Sequence, residues 1–306
     1  MNLPFPWEKF GVPISKGDRY IIGRADLNWT VTKNPMQAQV MDKCVPIPGA
    51  FALVREPDCT FLDTCGKSYQ PTQNAELFAF WKAWLSQTKH DICWAGHMNS
   101  KRWVYALSKT QYGFYLGSAK DRVEVYFMMA HPHFCGESSR PLVLMLRTIN
   151  MTSLSYRIPL PRIFSPIDKD SWTGPACRSA REAVERAKKL VHETEMKFVK
   201  LLDRPITDDQ AKRYFTKVAH PRAHANAFKE YPVSTYRMLD YFHRGPGHDL
   251  PSAINSWWGA FQAACYYLER IGSDEQHSFY EHMLGIRSNF KRKALELAVT
   301  LAENAP

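Results

Sequence analysis

Arg122-Val-Glu-Val-Tyr-Phe-Met-Met129 and Pro141-Leu-Val-Leu-Met-Leu-Arg147 are two runs of branched, aromatic and long aliphatic residues, separated by the turn-forming Gly136–Arg140 segment. Such runs, bounded by Gly and Ser, read as β-strands. Pro141 to Leu146 is apolar without alternation, which predicts a central strand buried on both faces. Working outward, Lys101-Arg-Trp-Val-Tyr-Ala-Leu107 and Gly113-Phe-Tyr-Leu116 precede the pair, and Ser153-Leu-Ser-Tyr-Arg-Ile158 follows it. Gly96 to Lys101 reads as a turn before the first of these. Successive strands with short connections predict an antiparallel meander.

Before this block, the first 73 residues are rich in Pro, Gly, Asn and Asp, with short strands expected at Trp29–Thr32, Ala50–Arg55 and Asp58–Leu62. Leu77, Phe78, Trp81, Trp84 and Leu85 recur at helical spacing, so Ala75–Leu85 reads as an amphipathic helix capped by Asn74. After it, Pro159, Pro161, Pro166 and Pro175 mark a break. Capping boxes at Ser179-Ala-Arg-Glu182 and Thr207-Asp-Asp-Gln210 open two helices, one to about Leu202 and one to about Val218. Further helices are expected over Val233–His243, Ser252–Ile271 and Asp274–Ala302, the second with a stripe of Ile254, Trp258, Phe261, Cys265 and Leu268. The expected class is therefore α+β. An antiparallel meander sheet packed with helices occupies residues 1–165, and a helical region packed on it occupies 166–306.

Composition narrows the function. The chain has 306 residues, 45% hydrophobic and 23% charged, which excludes a disordered, collagen-like or coiled-coil protein. There is no run of about 18 uncharged apolar residues and no secretory leader pattern, so no membrane partner is expected. The seven cysteines are an odd, scattered count, which reads as reduced thiols and a cytoplasmic location. The net charge is +10. Residues 91–165 carry +5 and residues 251–306 carry −1, so the excess is concentrated in the middle of the chain, as a polyanion-binding surface requires.

Catalytic motifs are missing. There is no phosphate loop, no Gly-x-Ser-x-Gly elbow and no His-Glu-x-x-His, and no cofactor is expected. The best metal-ligand cluster is His131, His133 and Cys135, which would share one face of a strand, although Pro132 interrupts the run and a fourth ligand is missing. Cys59 and Cys65 read as buried thiols. Asp208 and Asp209 complement a helix N-terminus, and Glu193 and Glu195 do not face each other on their helix.

The basic strands carry more. Lys101 and Arg102 precede Trp103 and Tyr105; Lys120 and Arg122 precede Tyr126; Arg147, Arg157 and Arg162 follow on later segments. Cations that track phosphates, with aromatic rings between them to stack on bases, are what a single-strand groove needs. The candidate nucleic-acid contacts are thus Lys101, Arg102, Lys120, Arg122, Arg147, Arg157 and Arg162, with Trp103 and Tyr105 as stacking partners. Lys188 and Lys189 stand near Glu185 and Glu193, and that helix reads as an ion-paired solvated face.

Leu27-Asn-Trp-Thr-Val31, Phe61-Leu-Asp-Thr-Cys-Gly-Lys-Ser-Tyr-Gln-Pro-Thr-Gln-Asn-Ala-Glu-Leu-Phe78, Ala95-Gly-His-Met-Asn-Ser-Lys-Arg-Trp-Val-Tyr-Ala106, Lys120-Asp-Arg-Val-Glu-Val-Tyr-Phe127 and Asn255-Ser-Trp-Trp-Gly-Ala-Phe-Gln-Ala-Ala264 together resemble the phage/plasmid-like protein family, domain of unknown function 932, over residues 25–300. Two positions depart from that pattern. The segment after the central strand, Arg147-Thr-Ile-Asn-Met-Thr-Ser153, keeps the family's Arg and lacks its Cys, and Gln262 replaces an Asn. The resemblance implies a protein carried on phages or plasmids among recombination genes, with an element order like that of phage single-strand annealing proteins. The expectation is a non-enzymatic protein that binds single-stranded DNA, anneals complementary strands without ATP and works as a homo-oligomeric ring or filament. Two alternatives stand beside it. One is a phage-encoded interaction protein that inhibits a host defence. The other is a metal-dependent nuclease at His131, His133 and Cys135.

Overall fold

The computed structural model describes residues 4–158, 175–222, 230–271 and 275–304, with backbone alone at 175–180 and 275–278. The expected boundary at 165/166, Arg162 and the side chains of Ser179 and Ala180 in the first capping box lie outside the described residues and side chains, and the helix there already runs from Pro175, four residues before Ser179. In chain order the elements are β1 (Gly11–Pro13), α1 (Ile21–Arg24), β2 (Thr30–Val40), β3 (Lys43–Glu56), β4 (Thr60–Gly66), α2 (Asn74–Ser86), β5 (Trp94–Met98), β6 (Trp103–Lys109), β7 (Phe114–Tyr115), β8 (Arg122–Pro132), β9 (Arg140–Arg147) and β10 (Thr152–Arg157). The helices α3 (Pro175–Leu202), α4 (Asp208–Ala219), α5 (Val233–Arg244), α6 (Trp257–Arg270), α7 (Glu275–Met283) and α8 (Ile286–Glu303) follow. The α+β class stands, with antiparallel sheets first and helices after.

The main sheet runs β1-β5-β6-β8-β9-β10, with every pair antiparallel. The short β7 continues the β6 side of β8, where Phe114 faces Val123. A second sheet holds β2, β3 and β4. Strand β8 shows why the main sheet is covered on both sides. Val123, Val125, Phe127 and Met129 join one core cluster with α2, α3 and α6, while Tyr126, Met128 and Ala130 join a second cluster. That second cluster is closed by Trp7 and Phe10 from the N-terminal segment and by Phe279 and Met283 from α7. Alternate residues on a strand point to opposite faces, so a strand apolar throughout needs a layer on each side. β9 is interior, next to the edge strand β10 rather than central, and is buried from Pro141 to Arg147 as expected.

Several expectations are corrected. Trp94–Met98 is a strand, and the turn before β6 is the four residues 99–102. Alternation was hidden there because β5 contains Gly96, and β1 packs so close that a Cβ on Gly96 would strike the Phe10 carbonyl. β2 and β3 form a far longer hairpin than the short strands expected, because Pro35, Pro46, Pro48 and Gly49 in their outer halves read as strand breakers. The cap of α2 is Gln73, which forms a capping box with Glu76; Asn74 is the first helical residue and is turned inward. Thr207 caps α4 in the capping box expected. The helix expected over Asp274–Ala302 is two, broken at Leu284–Gly285, and α6 begins at Trp257 rather than Ser252. Ile254 therefore leaves the apolar stripe and is 53% exposed. Cys65 is buried, but Cys59 is exposed on the turn between β3 and β4.

Candidate nucleic-acid interface

Strand β8 fixes where the basic candidates lie. Trp103 faces Pro132 at one end of it, and Arg147 faces Val123 at the other. Nine steps of about 3.3 Å put these ends about 30 Å apart. Lys101 and Arg102 therefore sit at the Pro132 end, with Arg157 beside Leu142 on the outer strand. Lys120, Arg122 and Arg147 sit at the far end. The sequence set does not form one groove.

Three of its members are structural. Trp103 and Tyr105 are fully buried, at 0% exposure each, so neither ring offers a face to a base. The Tyr105 hydroxyl donates to the Trp7 carbonyl at 3.4 Å, and burial pushes its pKa far up. These aromatics belong to the core because β6 is interior in the sheet and both its faces are covered. Arg147 is also buried: its Nε and Nη2 donate to Asp121 Oδ1 and Oδ2 at 2.6 and 2.8 Å. A guanidinium held this way cannot reach a phosphate. Of the others at that end, Lys120 is exposed, and Arg122 lies over the Tyr115 ring with Glu124 at 3.6 Å.

The Pro132 end gathers a different set. The Arg102 guanidinium lies 4.7 Å from the Phe134 ring centroid, and that of Arg140 lies 5.0 Å from Trp103. Trp103 in turn meets Phe134 edge-on at 5.5 Å and Tyr280 at 5.8 Å. Arg102, Arg140, Phe134 and Tyr280 are all partly exposed. Among the described residues, Arg102 Nε has no hydrogen-bond partner, while Arg140 pairs with Glu137 and donates to the Leu284 carbonyl at 3.2 Å. Arg157 is exposed and donates to Ser138 Oγ at 3.3 Å. Arg140, Phe134 and Tyr280 were missed by sequence reasoning. Arg140 read as a turn residue and Phe134 lay unremarked between the metal candidates His133 and Cys135, and only the register opposite Ala130 brings Arg140 to this end.

The turn between β5 and β6 supports the same place. Asn99, Ser100 and Lys101 are successive left-handed residues, with φ of 52°, 54° and 65°. Non-glycine residues pay about 1–2 kcal/mol each for that conformation. Other parts of the fold hold the turn: Arg55 Nη1 donates to the Ser100 carbonyl at 3.2 Å, and Lys101 Nζ pairs with Asp26 at 2.5 Å. Strained backbone held from outside is a recurring feature of functional sites. Lys101, ion-paired and partly buried, acts first as a clamp on this turn.

The proposed metal cluster does not assemble. Asn74 Nδ2 donates to the Leu27 and Trp29 carbonyls, so its Oδ1 is an acceptor, and His133 Nε2 donates to it at 2.8 Å. That nitrogen carries a proton and has no lone pair for a metal. His131 Nδ1 pairs with Ser139 Oγ at 2.8 Å, and burial lowers its pKa to about 4. Cys135 belongs to another contact, its backbone N–H donating to Asp63 Oδ2 at 2.8 Å. Among the described residues no group of three His, Cys, Asp or Glu side chains is placed to hold a metal ion. His133 instead joins the main sheet to the segment that leads into β2, with the Trp29 ring packed edge-on to it at 4.8 Å.

On α3, Lys188 pairs with Glu185 at 2.6 Å and Lys200 with Glu303 at 2.9 Å, so that face is ion-paired. Among the described residues no helix is long and apolar enough to cross a membrane. Compared with known proteins, the chain matches no family model, no curated protein and no solved structure.

Proposed function

We propose that this protein binds single-stranded DNA at the Pro132 end of the main sheet and promotes annealing of complementary strands without nucleotide hydrolysis. The observation that carries the reading is the cluster of Arg102 and Arg140 over Phe134 and Trp103, beside a strained turn. Guanidinium groups supply phosphate contacts, and the partly exposed Phe134 and Tyr280 supply ring faces for bases. The basic middle of the chain and the resemblance to the phage/plasmid-like family support the same reading. Pairing of complementary strands is downhill, so the reading needs no phosphate loop. Binding of labelled single-stranded and duplex oligonucleotides across a salt series, with light scattering alongside, tests it. Tight, salt-sensitive, single-strand-preferring binding by a multimer is expected. Binding equal for both forms and no stronger than that of other basic proteins would remove the reading.

One observation favours a second reading. Beyond the end of β4, β2 and β3 continue as a two-stranded ribbon, with Gln37–Val40 paired to Lys43–Pro46. Its tip exposes Val40, Met41, Val45 and Ile47, Met41 at 91%. A two-stranded ribbon is marginally stable in water, and exposed apolar tips mark protein contacts. Under this reading the protein binds one host protein and blocks a defence. Tight protein binding with DNA affinity at the non-specific level is its signature.

A further inference from the structure

A cleft of about 290 Å³ opens on the covered side of the main sheet, between the N-terminal segment, the start of β10 and the ends of α6 and α7. Its walls are mostly apolar, with Phe5, Phe10, Met151 and Phe279 among them, and Phe10 stacks on Phe279 at 5.0 Å. Its floor is polar. Glu269 Oε1 accepts from the Ser153 N–H at 2.7 Å, from Ser153 Oγ at 2.9 Å and from Lys291 Nζ at 2.9 Å. Lys291 also donates to Ser153 Oγ at 3.1 Å and is itself 0% exposed. Burial would raise the Glu269 carboxyl pKa, but the Lys291 charge, with the Lys291 and Ser153 N–H hydrogen bonds, outweighs it and holds it below the usual carboxylate range. His282 also lines the cleft, its pKa lowered to about 3 by burial and then by Lys291, so its ring is neutral at pH 7.

These charges define the ligand. Glu269 and Lys291 cancel and His282 is neutral, so the floor carries hydrogen-bonding groups without net charge. It favours a neutral head with polar edges over a free carboxylate, phosphate or ammonium. Aromatic walls favour a flat head. At the mouth, Lys9 and Arg270 are both exposed and both basic. They favour an anion attached to that head. A buried Glu–Lys pair gains little stability over an apolar substitute, so a pair whose carboxylate residue lines an apolar cleft, with Lys291 behind it, points to recognition. We infer that this cleft is a nucleotide-binding site, taking a neutral heteroaromatic base against Ser153, Glu269 and His282, with its phosphate at Lys9 and Arg270.

The cleft shares α7 with the Arg102–Arg140 cluster but is lined by other residues, Phe279 and His282 rather than Tyr280, and the inference does not depend on the annealing reading. The test uses the full chain and three probes: adenosine, adenosine monophosphate and a single-stranded oligonucleotide carrying 2-aminopurine. Calorimetry is expected to give binding of the monophosphate, at least tenfold tighter than the nucleoside. Lys9→Glu with Arg270→Glu, both on exposed residues, is expected to erase that tenfold advantage while leaving nucleoside binding unchanged. His282→Phe is expected to weaken both ligands at least tenfold, with circular dichroism confirming the fold. No monophosphate binding at millimolar concentration by the unaltered protein would overturn the inference, as would binding indifferent to all these substitutions. Oligonucleotide binding without monophosphate binding or 2-aminopurine quenching would overturn it and leave the annealing reading standing. Monophosphate binding without oligonucleotide binding would do the reverse. Quenching of 2-aminopurine that is lost in His282→Phe would identify the base as one on a strand, and quenching confined to the free nucleotide would identify a soluble ligand.

Discussion

Asp121 Oδ1 accepts Arg147 Nε at 2.6 Å, while its Oδ2 accepts Arg147 Nη2 at 2.8 Å, Ser252 Oγ at 2.6 Å and Trp258 Nε1 at 3.0 Å. One carboxylate thus ties the start of β8 to the end of β9 and to the N-terminus of α6. The Arg147 guanidinium also lies over the Trp258 ring at 5.4 Å. All of these groups are buried. A buried ion pair loses far more when one partner is removed than it contributes as a pair, because the survivor keeps its desolvation cost.

Asp121→Asn is therefore expected to cost about 3–5 kcal/mol, leaving the Arg147 charge uncompensated. Ser252→Ala removes only one of four donors and is expected to cost about 1 kcal/mol. Urea unfolding with an unchanged m-value checks both. Equal, small losses in the two variants would show that the network is solvated.

The split of basic residues between two ends of β8 gives a sharp binding test. Arg102→Glu with Arg140→Glu is expected to weaken single-strand binding at least tenfold and to flatten the salt dependence, by about 0.7 in slope for each lost phosphate contact. Lys120→Glu with Arg122→Glu, at the other end of β8, is expected to leave the slope unchanged. A larger effect from the second pair would move the interface to the other end of the sheet.

Acid should unfold the junction of the two sheets. Burial lowers the His131 pKa from 6.5 to about 4 and that of His133 well below 6.5, with the neighbouring His131 adding to the latter. The unfolded chain then takes up these protons first. Stability is expected to be full above pH 6.5 and to fall as pH drops through the interval down to about 4. For His131 the full loss is about 3 kcal/mol, from a shift of about two and a half pKa units. Thermal melting from pH 7 to pH 4 checks the direction, and His131→Gln should make the decline shallower. A melting temperature flat over that interval would mean that these rings are protonated in the native state.

The ribbon formed by β2 and β3 beyond β4 contributes little to the core, because residues 39–49 are all exposed. Replacing residues 37–48 by an Asn-Gly turn is expected to change stability by no more than about 0.5 kcal/mol. Under the protein-partner reading it abolishes capture of the partner and leaves oligonucleotide binding intact. Light scattering, a melting curve and a salt series on the shortened protein separate these effects.

The meander was legible because β8 from Val125 and β9 from Pro141 carry apolar runs, and the burial of β9 on both faces follows from its lack of alternation. Helix α2 announced itself through apolar spacing, although its cap is Gln73 and not Asn74, and α4 through the Thr207 capping box. β5 was not legible, since Gly96 serves a close approach by β1 that exists only in the folded chain. Nor was the break between α7 and α8.

The site divides along the same line. The sequence by itself determined that arginines alternate with aromatic residues through the middle of the chain, because composition and order are local properties. Which rings are exposed, and which cations are free of carboxylates, was decided by register and by the layers packed on each face of the sheet. Trp103 and Phe134 look equally able to stack on a base when read along the chain. Pairing of β6 with β5 and β8 buries Trp103 completely, while Phe134, just past the end of β8, stays partly exposed beside Arg102. Arg147 was lost to the interface for a similar reason. Asp121 precedes it by 26 residues, and only the return of β9 alongside β8 brings the carboxylate within 2.6 Å of the guanidinium. Burial and ion pairing depend on contacts between distant segments, and a sequence pattern records only the near ones.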